Sequence, residues 1–333
     1  VCAMSIGHNA KILGYKTLGE IYEHPKVWLQ CNKAAMEMYQ FYTPPLALAG
    51  AGPLMMGAWG SKFMYPYAPK MGSFTLIEAA VKTPEDAEKV ELPDPAPFMG
   101  PYYETMELAL GQGWYPLAPI MGGWISAAGY SITEPETILF WTIKEPDLVH
   151  KLLDVSADYA IRWAELLVEK FGADAWIPWD PNPTDSNTLV DAEMFAKFPL
   201  PRAIKVHQKV LDMGVPLWFT HWCSEHKLNI QAGHIEKVPM GDPGILSFGP
   251  EVPIEQQVER WGKDYIIIGN VDPPAMMTQP FEEVFELCRK NIEAGMKASR
   301  GYMLACGCEL PPPTPPANVY AMTKAAREFG RYQ

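Results

Sequence analysis

Short apolar runs alternate along the chain with longer stretches in which apolar residues recur every three or four positions. The runs are Leu46–Gly50, Lys62–Pro66, Tyr115–Gly122, Ala175–Trp179, Pro216–Trp222, Gly244–Gly249, Tyr265–Asn270 and Gly301–Cys306. Each has strand length, and most end in Gly, Pro or Asn. The stretches between them carry helix signals. From Glu145 to Phe171, Pro146 suits a first turn, Leu148, Val149, Leu152 and Leu153 form a stripe, and Gly172 suits the stop. From Gln279 to Gly295, Phe281, Val284, Phe285, Cys288 and Ile292 share one face. Helices interleaved with buried strands imply a parallel sheet. Eight such runs suggest a closed (β/α)8 TIM barrel, whose strand C-termini meet at one mouth; an open doubly wound sheet is the alternative. The expected organisation is a single domain over residues 1–333, with residues 1–45 a helical segment leading into the barrel. Two proline-rich patches break the pattern. Residues 92–101 read as a surface connection, and residues 311–316 follow the last run and would hold a loop rigid at the barrel mouth.

Composition narrows the function. The chain is 48% hydrophobic, enough for a sizeable core, and carries a net charge of −12. That sign argues against nucleic acid or an anionic membrane as partner, since both reward Lys and Arg. The stretch closest to a membrane span, Leu46 to Trp59, is broken by Gly50, Gly52, Pro53 and Gly57. The basic-then-apolar order of a secretory leader is missing, so the expected compartment is the reducing cytoplasm. There the six cysteines, Cys2, Cys31, Cys223, Cys288, Cys306 and Cys308, bind metal or react more readily than they form a disulfide scaffold. A homo-oligomer is compatible with all of this. Eleven Trp, fifteen Tyr and eighteen Met would fill a core, and some could line a wide apolar site.

The candidate chemistry lies at strand ends. His221 and Cys223 stand at i and i+2 at the end of PLWFTHWC, so on a strand they point the same way and offer a nitrogen and a sulfur to one zinc ion. Cys306 and Cys308 stand at the same spacing at the end of the last run, and barrel topology would bring either sulfur to the same mouth. Three protein ligands with an open fourth position make a catalytic rather than a structural zinc site. The competing reading is a hydrogen-bonded core histidine with packing cysteines. Glu225 and His226 are candidates for a fourth ligand. Asp180 and Asp272 also end strand runs: Asp180 could accept a proton or orient substrate, and Asp272 could support the histidine, although each precedes a proline and could be a turn cap. Trp59, Trp124, Trp179 and Trp222 could flank an apolar ligand. Glycine-rich phosphate cradles are absent.

The stretches HWC, IGNVDP and ACGCELPPPTPPANVYAM resemble the uroporphyrinogen decarboxylase-like superfamily, and more closely its zinc-dependent branch, the methylcobamide:coenzyme M methyltransferases and related corrinoid methyltransferases. The likeness runs from about Gly7 to the C-terminus. In that pattern the late cysteine corresponds to Cys308, and Cys306 stands where the family has proline. The resemblance implies a TIM barrel, a zinc ion held by His221, Cys223 and Cys308, a corrinoid carried by a separate corrinoid-binding protein, and a small methyl donor or acceptor. A thiol such as coenzyme M and a methoxylated aromatic are the two substrates it suggests, with Lys227 the nearest cation in sequence for a sulfonate. The decarboxylase branch fits less well. Its substrate bears many carboxylates, whereas this acidic chain has seven Arg and none before Arg162. A barrel that merely holds a corrinoid or small ligand without catalysis is the remaining alternative.

Overall fold

In the computed structural model, residues 6–40, 43–68 and 71–332 are described; Cys2 lies outside them. Six parallel strands form the central sheet in sequence order: β3 (Leu117–Pro119), β4 (Ile177–Pro181), β5 (Phe219–Trp222), β6 (Ile245–Phe248), β7 (Ile266–Val271) and β8 (Tyr302–Cys306), after a separate antiparallel pair, β1 (Lys62–Met64) and β2 (Thr75–Glu78). Helices join successive parallel strands, as a parallel ladder requires. The register aligns Pro181 with His221, His221 with Ser247, and Val271 with Cys306, so these strand ends lie side by side.

The first three expected runs are the ones that change. Leu46–Gly50 contributes a single parallel bridge from Leu46 to Leu117. The run stops there because Gly50 turns with φ +74 into the helix Ala51–Met55; a Cβ at Gly50 would stand 2.7 Å from Pro101. The Lys62–Pro66 run does not join the parallel ladder. Its strand β1 is exposed or half-buried throughout, which no strand covered on both faces can be, and it pairs with β2 instead. Of Tyr115–Gly122 only Leu117–Pro119 is strand.

The two helices read from periodicity form as Pro146–Phe171 and Phe281–Gly295. The first has Pro146 at its N-terminus and Gly172 at its C-cap with φ +87. It buries Val149, Leu152, Leu153, Ser156, Ala157, Ala160, Trp163, Ala164 and Leu167, a stripe at helical spacing. Its small residues let the loop after β3 approach closely: a Cβ at Gly122 would meet Ala160 Cβ and the Ser156 carbonyl at 2.4 Å. Three helices, Ile6–Ile12, Gly19–Glu23 and Pro25–Tyr39, precede the barrel.

Side chains from opposite ends of the strand ladder face one cavity. Leu46 and Leu48 meet Trp179 and Pro181 of β4, His221 of β5, and Cys308 just past β8. The sheet therefore curls around a common interior with the strand C-termini at its mouth. No helix among the described residues is long and apolar enough to cross a membrane.

Candidate metal centre

The spacing of His221 and Cys223 works as strand geometry dictates. β5 alternates, so His221 enters the cavity while Trp222 turns outward to pack against Trp124, Phe195 and Phe248. The chain then leaves the strand, and Ser224 adopts φ +63, which turns the backbone immediately after Cys223. Asn182 holds that corner, its Oδ1 accepting from the Cys223 amide at 3.3 Å. At β8 the alternation stops at Cys306. Gly307 donates its N–H to the Val271 carbonyl at 2.7 Å, and a Cβ at Gly307 would stand 2.9 Å from Pro250 Cδ. This close passage, tight against Pro250, carries Cys308 into the cavity.

His221, Cys223 and Cys308 come together with one ligand atom each, all within 4.8 Å of one another. Small side-chain rotations close that spacing onto one ion, given Zn–S of about 2.3 Å and Zn–N of about 2.0 Å. The donor set fits zinc on three further observations. His221 is 1% exposed, and its Nε2 is buried with no hydrogen-bond partner. A bare buried nitrogen is costly unless something ligates it. Its other nitrogen, Nδ1, lies 3.1 Å from Ser247 Oγ, and donation of Nδ1–H to that hydroxyl leaves Nε2 as the lone-pair nitrogen. The hydrogen bond from Cys223 holds the Cys308 thiol well below its ordinary range, aided by the neighbouring His221. The same shared proton, with burial, pushes Cys223 up. The pair is thus arranged to hold one thiolate between its two sulfurs.

Cys306 belongs elsewhere. It is buried with Val271, Leu304 and Met322 behind the sheet, and burial pushes its thiol up to about 12. Glu225 and His226 do not join the cluster. Glu225 accepts from the Lys227 amide, and His226 is hydrogen-bonded to the Cys223 carbonyl and to Asn229. Asp272 caps the helix Pro273–Thr278 through the Ala275 amide, the turn-cap alternative of its Asp-Pro sequence. Lys227 is exposed and does not line the cavity.

Asp180 is 1% exposed and faces away from the cavity that its neighbours Trp179 and Pro181 line. Its Oδ2 accepts from Trp124 Nε1 at 2.9 Å and lies 3.0 Å from His207 Nε2. His207, stacked on Trp218 with centroids 3.9 Å apart, donates from Nδ1 to the Pro239 carbonyl. Asp180 thus ties β4 to the helix Pro199–Asp212 and does not meet the metal cluster directly. Of the four candidate tryptophans, only Trp179 lines the cavity.

The cavity next to the cluster has a volume of about 350 Å³. Met55, Met56, Met121, Phe74, Tyr130 and Trp179 supply much of its wall. Glu309 stands beside Cys308, its Oε1 accepting from the Gly7 amide at 3.2 Å. Although water reaches Glu309, protein surrounds it, and that desolvation pushes its carboxyl up to about 7, with a contribution from Cys308 and against the Gly7 bond. Sequence reasoning missed Glu309 and Ser247. Glu309 directly follows Cys308, which was a usable signal; nothing local marks Ser247.

The profile of the uroporphyrinogen decarboxylase (URO-D) family matches residues 15–329. Among curated proteins, the methylcobamide:CoM methyltransferase MtbA of Methanosarcina acetivorans is 31% identical over 186 residues, 55% of this chain and 50% of that protein. The methylcobamide:CoM methyltransferase MtaA of Methanosarcina barkeri is 29% identical over 222 residues, 64% of this chain and 59% of that protein. The chain thus spans between half and three-fifths of the length of these two relatives. The solved structure of a methyltransferase from Methanosarcina mazei superposes with a TM-score of 0.77 at 20% identity, covering 99% of this chain and 94% of that one. That likeness concerns the fold, which is the TIM barrel.

Proposed function

The chain belongs to the uroporphyrinogen decarboxylase (URO-D) family, and from that premise we propose that it is a zinc-dependent methyltransferase that moves a methyl group between a corrinoid protein and a small substrate. The observation that carries this reading is the convergence of His221, Cys223 and Cys308 beside an apolar cavity, with the buried His221 ring next to the Cys308 sulfur. Relatives named as methylcobamide:CoM methyltransferases support the reaction class.

His221, Cys223 and Cys308 would hold the metal, leaving a fourth position toward the cavity. Zinc bound there supplies Lewis acidity, which lowers the pKa of a thiol acceptor or polarises a methyl-bearing heteroatom. The chain's own residues do the rest. Ser247 fixes the tautomer and orientation of His221. Cys223 and Cys308 share a hydrogen bond, which favours one thiolate within the pair. The apolar wall lowers the polarity on one side of the reacting atoms, while Cys308 and Glu309 stay open to water. Docking of the corrinoid protein at the barrel mouth would bring its methyl group to the substrate in line. Among the described residues lining the cavity there is no Arg, so a polycarboxylate meets no matching charge, which weighs against decarboxylation of a carboxylated tetrapyrrole.

The test is metal analysis followed by a methylcobalamin assay with a panel of thiols and phenols. We expect about one zinc per chain, lost in Cys308→Ser together with methyl transfer. Full activity in metal-free protein would refute the reading.

A further inference from the structure

The two sulfurs of the cluster also face each other. Cys223 and Cys308 share a hydrogen bond, and their ligand atoms lie within 4.8 Å of one another. Neither residue is held in the regular ladder. Cys223 follows the last residue of β5 and precedes Ser224, whose φ is +63. Cys308 lies beyond the end of β8 and follows Gly307. Irregular backbone can yield the short distance that takes touching sulfurs to a bond of about 2.05 Å, whereas paired strands would have to give up ladder bonds.

Access to water separates these two from the other described cysteines. Cys308 is exposed and Cys223 half-buried, and both line the cavity. Cys31, Cys288 and Cys306 are buried. Burial also pushes the thiols of Cys31 and Cys288 up to about 12, which keeps them protonated and inert. The described cysteines that water reaches are thus the two that touch.

We propose that this pair is an oxidative modification site: when no metal is bound, hydrogen peroxide joins Cys223 and Cys308 in a disulfide that shuts the metal centre until a dithiol reductant reopens it. The proposal stands on the cluster and is independent of methyl transfer. In the first step the Cys308 thiolate attacks a peroxide oxygen. An S–O bond forms, the O–O bond breaks, and the hydroxide released takes up the proton lost from the thiol. The Cys223 sulfur then attacks the sulfenic sulfur. The S–S bond forms, the S–O bond breaks, and the oxygen leaves as water with the Cys223 proton. Two electrons have passed from the pair to peroxide, which ends as two waters. With both sulfurs in one bond, His221 alone of the three ligands remains, too few for zinc. Zinc in place engages the same sulfurs and shields them.

The test strips the full chain of metal with a chelator and exposes it to hydrogen peroxide. We expect loss of about two free thiols per chain. Peptide mass spectrometry should find a Cys223–Cys308 linkage, with fragmentation at Gly307 telling Cys306 from Cys308. Zinc affinity by chelator competition should fall at least about 100-fold and return with dithiothreitol. The zinc-loaded chain should lose thiols at least about tenfold more slowly. In Cys223→Ser the reaction should stop at a sulfenic acid on Cys308, trapped with dimedone; the unaltered chain decides the matter whether or not this variant folds. Thiols that survive peroxide, a linkage through any other cysteine or between two chains, sulfinic acid at Cys308 without a linkage, or a linked chain that still binds zinc would each overturn the proposal. Methyl transfer measured on the reduced, zinc-loaded chain keeps the two claims apart. Transfer without the linkage sinks the proposal alone; the linkage without transfer sinks the methyltransferase reading alone.

Discussion

At the scale of single residues, two hydrogen bonds decide what His221 and Asp180 can do. Ser247 stands 3.1 Å from the Nδ1 of His221, one strand away. Supports of this kind orient a ligating imidazole and raise its basicity. Ser247→Ala should therefore weaken zinc binding by roughly 10- to 100-fold without unfolding the barrel, as read by chelator competition with thermal melting as control. Unchanged affinity would assign the orientation of His221 to packing alone. Asp180 shows what single-residue reasoning cannot see. Its position at a strand end suggested a place in the chemistry, but strand parity puts it on the opposite face from Trp179 and Pro181. The partner that accounts for it, His207, lies in the buried stripe of the helix Pro199–Asp212 beside Ala203, Val206 and Val210. A histidine within an apolar stripe is visible in the sequence; its pairing with a carboxylate 27 positions away is not.

At the scale of elements, the runs that became strands with little change are those buried on both sides, β5 to β8, because continuous apolar character has few other outcomes. The first runs were less legible. Apolar content alone does not say whether a strand pairs in the barrel or in a hairpin, and Lys62–Met64 pairs in a hairpin. The His-x-Cys pair was legible from the period of a strand. Which of Cys306 and Cys308 joins it was not settled by spacing, since the strand ends between them. Gly307 is where the path diverges, pressed against Pro250. Gly307→Ala should push this crossing outward and displace Cys308. The expected result is a loss of zinc stoichiometry with β8 and the overall fold kept, checked by metal analysis beside circular dichroism. A variant that keeps full zinc would show that Pro250 gives way instead.

At the scale of the whole molecule, the site depends on a clasp between distant parts of the chain. The helix Ile6–Ile12 supplies Ile6 to the cavity wall, the Gly7 amide to Glu309 and His8 to the proline-rich loop. His8 is 1% exposed, its Nε2 2.6 Å from the Tyr39 hydroxyl and its Nδ1 3.4 Å from the Pro312 carbonyl. Burial holds its pKa below 6.5. The unfolded chain, with an ordinary histidine, therefore binds the proton first as pH falls, and the folded state loses stability below about 6.5. Denaturation midpoints at pH 7.5 and 5.5 should differ more in the parent than in His8→Gln; equal differences would show that the clasp does not titrate.

The Gly7–Glu309 contact spans 302 positions of sequence. During synthesis the helix Ile6–Ile12 cannot make this contact until the chain has been extended past β8 to Glu309. Until then neither the second sulfur nor the carboxylate exists to meet it, and a nascent chain has no pocket to fill. Any capture of metal by His221, Cys223 and Cys308 would therefore follow the closing of the barrel rather than precede it.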